Sequence, residues 1–135
     1  MCAVINPELD RLARARYVSL TTYKRDGTPV ATPVWVMSEG GFLQVITERS
    51  SGKVKRLARN AELQVAPCDF RGGLQGDAVA ATAIVIDDPE LLARAQDLLV
   101  RRYGLAGRFF LWLDRVRNRE LVVLAIDVPM PAPPD

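Results

Sequence analysis

Ser50-Ser51-Gly52-Lys53-Val54-Lys55-Arg56 is the segment of this 135-residue chain in which residue types and spacing point most directly to chemistry. It lies between a strand-like and a helix-like stretch. The serines are favoured N-cap residues, and their hydroxyls can donate to an anion. Gly52 lets a ligand come close to the backbone. The free N–H groups of a helix start point outward and favour negative charge. Lys53 falls in the first turn, where a cation opposes the helix dipole at a cost of about 0.3–1 kcal/mol. Stability alone would select Asp or Glu there, so a bound phosphate gives this lysine a reason. The plain alternative is a solvated face of Lys53, Lys55, Arg56 and Arg59, because charge runs are usually surface. The GxxxxGK[ST] spacing of a P-loop is absent, which disfavours ATP or GTP.

The rest of the composition narrows the chemistry. The chain has no histidine. A Ser-His-Asp or Cys-His hydrolase and a His-based metal centre are therefore excluded, and no metal site is expected. Cys2 and Cys68 form no CxxC or metal spacing and read as structural thiols. A net charge of +2 is too small for a dedicated nucleic-acid binder. No apolar run approaches the roughly 20 residues of a membrane span, and Asn6-Pro7-Glu8 interrupts the short apolar start, so no secretory leader is read. Neither nucleic acid nor membrane is expected as a partner, and the cytoplasm is the expected compartment. Length predicts one domain over 1–128, with a Pro-rich, disordered tail at 129–135.

The elements that must position the basic segment follow from periodicity and punctuation. Pro7–Ala15 is predicted as a short helix capped by Asn6. Tyr17–Tyr23 alternates as a half-buried strand, and Asp26-Gly27 turns it back into a strand over Val30–Met37, in which Pro33 marks an edge or a bulge. Glu39-Gly40-Gly41 leads to a strand at Phe42–Thr47. Ser50–Asn60 switches to helical spacing. Leu63–Pro67 and Ala78–Ile86 are two more strands; the weak alternation of the second is compatible with cover on both faces. Asp88-Pro89-Glu90 starts a helix that Gly104 ends. Phe109–Arg117 repeats the helical pattern with Phe109, Phe110, Leu113 and Val116, and Leu121–Val128 is the final strand. Hairpin connections dominate, so the prediction is a mainly β (α+β) fold: a six-stranded antiparallel barrel with three to four short helices.

Tyr17–Thr22, Asp26–Pro29 and Thr32-Pro33-Val34-Trp35 resemble the split-barrel flavin-binding family of the pyridoxamine 5'-phosphate oxidase type. Ser51–Leu57, followed by Val65–Asp69 and Arg71-Gly72, is similar to its branch of deazaflavin (coenzyme F420)-dependent oxidoreductases. The likeness runs from about Leu9 to Asp127 and rests on the order and spacing of these segments. It implies a six-stranded split barrel and a homodimer with the cofactor between protomers. It also implies hydride transfer from reduced coenzyme F420 to a small unsaturated or carbonyl-type substrate.

By the same resemblance Lys53 holds the cofactor phosphate, with Ser50, Ser51 and Gly52 beside it. Lys55 or Arg56 reaches the acidic tail. Thr32, Pro33, Val34 and Trp35 lie along the ring, and Thr47, Ala66 and Pro67 flank it. Trp35 is equally at home in a core, and Arg71 fits a solvated loop as well as a ligand. No catalytic side chain is singled out; a proton can come from solvent, Tyr17 or Tyr23. FMN is the alternative cofactor, and a flavin-binding protein without turnover the alternative function. The cations Lys55, Arg56 and Arg59 lean toward the longer, more acidic deazaflavin. The loop Gly72–Asp77 lacks the Pro and aromatic residues expected before the fifth strand.

Overall fold

Asn6 Oδ1 accepts hydrogen bonds from the N–H groups of Glu8 and Leu9 at 3.2 Å each, so a capped helix α1 opens the chain at Pro7–Arg14. The computed structural model describes residues 6–118 and 120–129. The expectations for Cys2 and for the tail beyond Pro129 lie outside these residues. After α1 come β1 (Tyr17–Tyr23), β2 (Pro29–Val34), β3 (Met37–Glu39), β4 (Phe42–Glu48) and α2 (Gly52–Arg59). Then follow β5 (Glu62–Cys68), β6 (Val79–Ile86), α3 (Pro89–Tyr103), α4 (Leu105–Val116) and β7 (Leu121–Asp127). All strand pairings are antiparallel, in one seven-stranded sheet of order β2-β1-β5-β6-β7-β4-β3.

That order dictates the shape. β2 and β3 are neighbours in sequence yet lie at opposite ends of the sheet. Three Cα–Cα steps join Val34 to Met37, a reach of about 11 Å at most. The sheet must therefore curl until its two edges stand side by side, giving a half-barrel. The expected strand over Val30–Met37 is in fact two strands, which raises the expected count from six to seven among the described residues. The break falls at Trp35-Val36. There the Tyr103 hydroxyl accepts the Val36 N–H at 3.2 Å and lies 2.8 Å from the Arg16 carbonyl and 3.1 Å from that of Val36. A side chain from α3 thus satisfies backbone groups that a continuous ladder would have used. Pro33 lies on the edge strand β2, where its missing N–H costs no ladder bond.

Two apolar clusters lie on the two faces of the sheet. The inner one joins Leu12 of α1 and Val54 and Leu57 of α2 to Leu20, Leu43, Val65, Leu124 and their neighbours. The outer one sets Ala95 and Leu99 of α3 on Met37, Ile46 and Val123. β4 and β7 are covered on both faces for this reason. β6 is not: Ala80, Thr82 and Ile84 are exposed, so its alternation marks an open outer face. Among the described residues no helix is long and apolar enough to cross a membrane.

Candidate functional site

A cleft of about 370 Å³ opens where the β2 edge, the end of β4, the start of α2 and the α3–α4 hairpin meet. Its size falls in the roughly 300–1,000 Å³ range of small-molecule sites. Of the residues expected at a cofactor, Pro33, Val34, Trp35, Thr47, Ser51 and Lys53 line it.

The polar end is built by α2. Ser51 is its N-cap and accepts the Val54 N–H at 3.4 Å; its hydroxyl lies 3.4 Å from Thr47 Oγ1. Thr47 is 8 % exposed, so this pair is held from below by β4. Lys53 follows in the first turn, which contains no acidic residue. It is half-buried and makes no hydrogen bond or ion pair among the described residues. Burial, and secondarily the neighbouring Arg56 guanidinium, push its ammonium pKa below the ordinary 10.5; Glu48 offsets part of this. Glu48 and Asp114 also line the cleft, and each already has a partner.

The apolar end is aromatic. Trp35 stacks on Tyr103 with ring centroids 4.7 Å apart and meets Phe110 at 5.4 Å. Phe70 reaches the rim from the loop after β5. That loop is held by Asp69, whose Oδ1 accepts the N–H groups of Arg71 at 2.9 Å and Gly73 at 2.8 Å. A Cβ on Gly72 would stand 3.9 Å from Pro33 Cδ, so the loop folds over the β2 face.

The other expected residues fall elsewhere. Ala66 and Pro33 both pair with Ser19, so the three share one face, but Ala66 is covered and does not line the cleft. Thr32 pairs with Leu20 and Pro67 with Val18, which puts both on the opposite face; Pro67 borders a separate groove beside α1. Ser50 and Lys55 are exposed and outside the lining. Arg56 Nε donates to Thr22 Oγ1 at 2.6 Å, and Arg59 donates to the Tyr23 carbonyl at 3.3 Å, so both tie α2 to β1. A Cβ on Gly52 would meet the Arg56 guanidinium at 2.7 Å, so the glycine makes room for that side chain. Cys68 is buried, and its thiol pKa is raised by that burial and by Asp69. Arg71 lies over the Phe70 ring, 5.3 Å from its centroid.

Sequence reasoning did not place Ile46, Glu48, Phe70, Leu99, Phe110, Asp114 or Leu121 at the site, and all seven line it. No local pattern marks Asp114: it shares a side of its helix with Phe110 and Gly107, and only the packing of Gly107 on Leu99 identifies that side as inward. The arrangement suits a phosphorylated flavin-type group. A desolvated cation and hydroxyl-capped helix start can hold a phosphate, stacked aromatics can cover a planar ring, and the outer edge of β2 offers backbone groups not used by another strand.

The sequence matches the pyridoxamine 5'-phosphate oxidase family over residues 5–128. No curated protein matches it. Among solved structures, a conserved hypothetical protein from Mycobacterium tuberculosis aligns with a TM-score of 0.67 at 22% identity, over 93% of this chain and 81% of that one. The heme storage protein HutZ from Vibrio cholerae aligns with a TM-score of 0.67 at 12% identity, over 93% and 90%. An F420 reductase aligns with a TM-score of 0.52 at 17% identity, over 95% and 96%. At such identities these likenesses speak for the fold alone. The match across nearly the whole sequence, borne on a sheet that curls as a split barrel does, shows that the chain belongs to the pyridoxamine 5'-phosphate oxidase family of flavin-binding proteins.

Proposed function

We propose that the protein is an oxidoreductase that uses reduced coenzyme F420 to transfer a hydride to a small unsaturated or carbonyl-type substrate. It would act as a homodimer, with the cofactor held between protomers. The observation that carries this reading is Lys53, a half-buried cation at a helix N-terminus, facing an aromatic cleft. When bound, the cofactor supplies the hydride chemistry, and the protein supplies binding, orientation and electrostatics. Lys53, Ser51 and the first N–H groups of α2 would take the phosphate. Pro33 and Val34 would lie along the ring, while Trp35 and Phe110 keep water from it. No side-chain nucleophile is required, which suits a chain without histidine. Of the two tyrosines considered as proton sources, Tyr17 lines the cleft and Tyr23 borders another groove, which favours Tyr17.

FMN is the second reading, and a specific observation favours it. Arg56 and Arg59 are spent on Thr22 and Tyr23, which leaves Lys55 alone of the three extra cations without such an anchor. A short phosphate tail needs fewer cations than a long acidic one. A heme role like that of the Vibrio cholerae protein is disfavoured, because the chain lacks histidine, the commonest heme ligand.

Titrating the purified protein with F420 and with FMN, followed by fluorescence, tests the reading. Tight F420 binding, followed by turnover of an enone panel with reduced F420, is the expected result. Submicromolar FMN binding without F420 binding would replace the first cofactor by the second. Binding without turnover would leave a carrier, and binding of neither would end the cofactor reading.

A further inference from the structure

The aromatic wall of the cleft is held by a residue that does not line it. Val34, the last residue of β2, pairs with Val18, and Met37, the first of β3, pairs with Gln44. Trp35 and Val36 lie between them, outside the ladder. The Val36 side chain is fully buried in the inner cluster, while Trp35 packs against the outer one and lines the cleft. The two sheet edges fix the residues on either side of this break, so Trp35 and Val36 need another anchor.

Tyr103, the last residue of α3, supplies that anchor twice. Its hydroxyl accepts the Val36 N–H at 3.2 Å and has one proton to donate, with the Arg16 carbonyl at 2.8 Å and that of Val36 at 3.1 Å. Its ring lies on Trp35, with centroids 4.7 Å and planes 11° apart. The tyrosine is itself fixed, because its neighbour Arg102 donates from Nη2 to the Ala15 carbonyl at 2.8 Å. Two consecutive residues of α3 thus grip the link between α1 and β1, and β1 is the strand that pairs with β2. Without the hydroxyl, part-buried peptide groups of Val36 would lose their partner, and the chain would shift to regain one. A shift of Val36 carries Trp35 with it. Tyr103 itself is not part of the cleft lining.

We propose that Tyr103 is a positioning residue for the cofactor ring: with its hydroxyl on Val36 and its ring on Trp35, it fixes the wall against which the ring is seated. A misplacement of about 1 Å in such a seat can cost roughly a hundredfold in rate. The inference rests on the reading of the cleft as a flavin-type site. It uses only contacts within one chain, so a second copy closing over the cleft leaves it intact.

Trp35 and Trp112 are the two tryptophans of the chain, so a Trp112→Phe background makes Trp35 the reporter. Without cofactor, Tyr103→Phe, which keeps the stacked ring, should open Trp35 to acrylamide quenching and shift its emission to the red. With saturating FMN or F420 the same variant should still bind, because the phosphate end is untouched. The visible circular dichroism of the bound ring should then collapse toward that of the free cofactor. Trp35→Phe should weaken that signal too, and adding Tyr103→Phe to it should change little more, the non-additivity of residues that act through one another. A general loss of stability would move the thermal midpoint and none of these signals. Unchanged Trp35 emission and quenching in Tyr103→Phe would overturn the proposal, as would an unchanged bound-ring signal or fully additive effects. If the wild type binds neither FMN nor F420, the cofactor reading fails and the role toward the ring falls with it, while Trp35 emission still reports separately whether Tyr103 holds the wall. Should Tyr103→Phe not fold, amide exchange in the wild type decides: a Val36 N–H held by the hydroxyl exchanges slowly although it lies outside the ladder, and rapid exchange would overturn the anchor.

Discussion

α2 and α4 are both short helices, but α2 packs on the sheet whereas α4 packs on α3, and they turn opposite kinds of side chain inward. α2 turns Val54 and Leu57 into the inner cluster and leaves its cations around the rim. α4 turns a glycine and an aspartate inward and leaves its largest apolar residues outside. The phase of α2 is set by apolar burial and by the Arg56 and Arg59 anchors on β1. The phase of α4 is set by a close backbone approach at Gly107. Hydrophobic spacing gives the period of a helix; which side is covered depends on what the neighbouring element can accept.

The sharpest way to break this contrast is to remove one apolar side chain from each helix. Leu57→Ala should cost about 2–5 kcal/mol by denaturant unfolding, since it opens a cavity in the inner cluster. Phe109→Ser should stay within about 0.5 kcal/mol, the scale of a surface change. Similar losses from both would mean that α4 is packed as tightly as α2.

A smaller effect separates the two glycines. Gly107→Ala brings a methyl against a backbone carbonyl that cannot swing away, and a net loss of about 1 kcal/mol is expected after the helix-propensity gain. Gly52→Ala meets only the mobile end of Arg56 and should change stability by less than about 0.5 kcal/mol. If Gly52→Ala instead lowered cofactor affinity with stability unchanged, the glycine would serve close approach of the ligand.

The smallest expected effect is electrostatic. The folded state holds the Lys53 pKa below 10.5, chiefly through burial. Between that lowered value and 10.5 the unfolded chain binds more protons, so stability rises with pH through this window; below it, the charged ammonium is a constant cost. Comparing stability against pH for the wild type and Lys53→Met should isolate that rise. A bound phosphate reverses the shift, so cofactor affinity should fall through the same window. A flat difference curve would place Lys53 in water.

What the sequence made legible was local. The Asn6 cap, the Asp26-Gly27 turn and the Asp88-Pro89 helix start each depend on contacts a few residues apart, and each is present. The basic helix start was equally legible, because Ser51 and Lys53 are read against their own turn. The break at Trp35-Val36 was not, since it depends on a tyrosine 67 residues later. The walls of the cleft were not legible either: Phe70, Leu99 and Asp114 come from three separate elements that only the curl of the sheet brings together. Arg56 shows the limit from the other side. Its type and position suited the cofactor tail, but its reach to Thr22 is a tertiary fact.

Whether Lys53 holds a phosphate is decided by comparing FMN with riboflavin. The two ligands share the ring and differ by the phosphate, so their affinities for the wild type and for Lys53→Ala form a cycle. If the protein takes F420 alone, the same cycle uses F420 and its phosphate-free parent. Lys53→Ala should weaken the phosphorylated ligand by about 1.5–3 kcal/mol, the scale of a charge-assisted hydrogen bond, and leave the phosphate-free one unchanged. Equal loss for both ligands, or no loss for either, would contradict it.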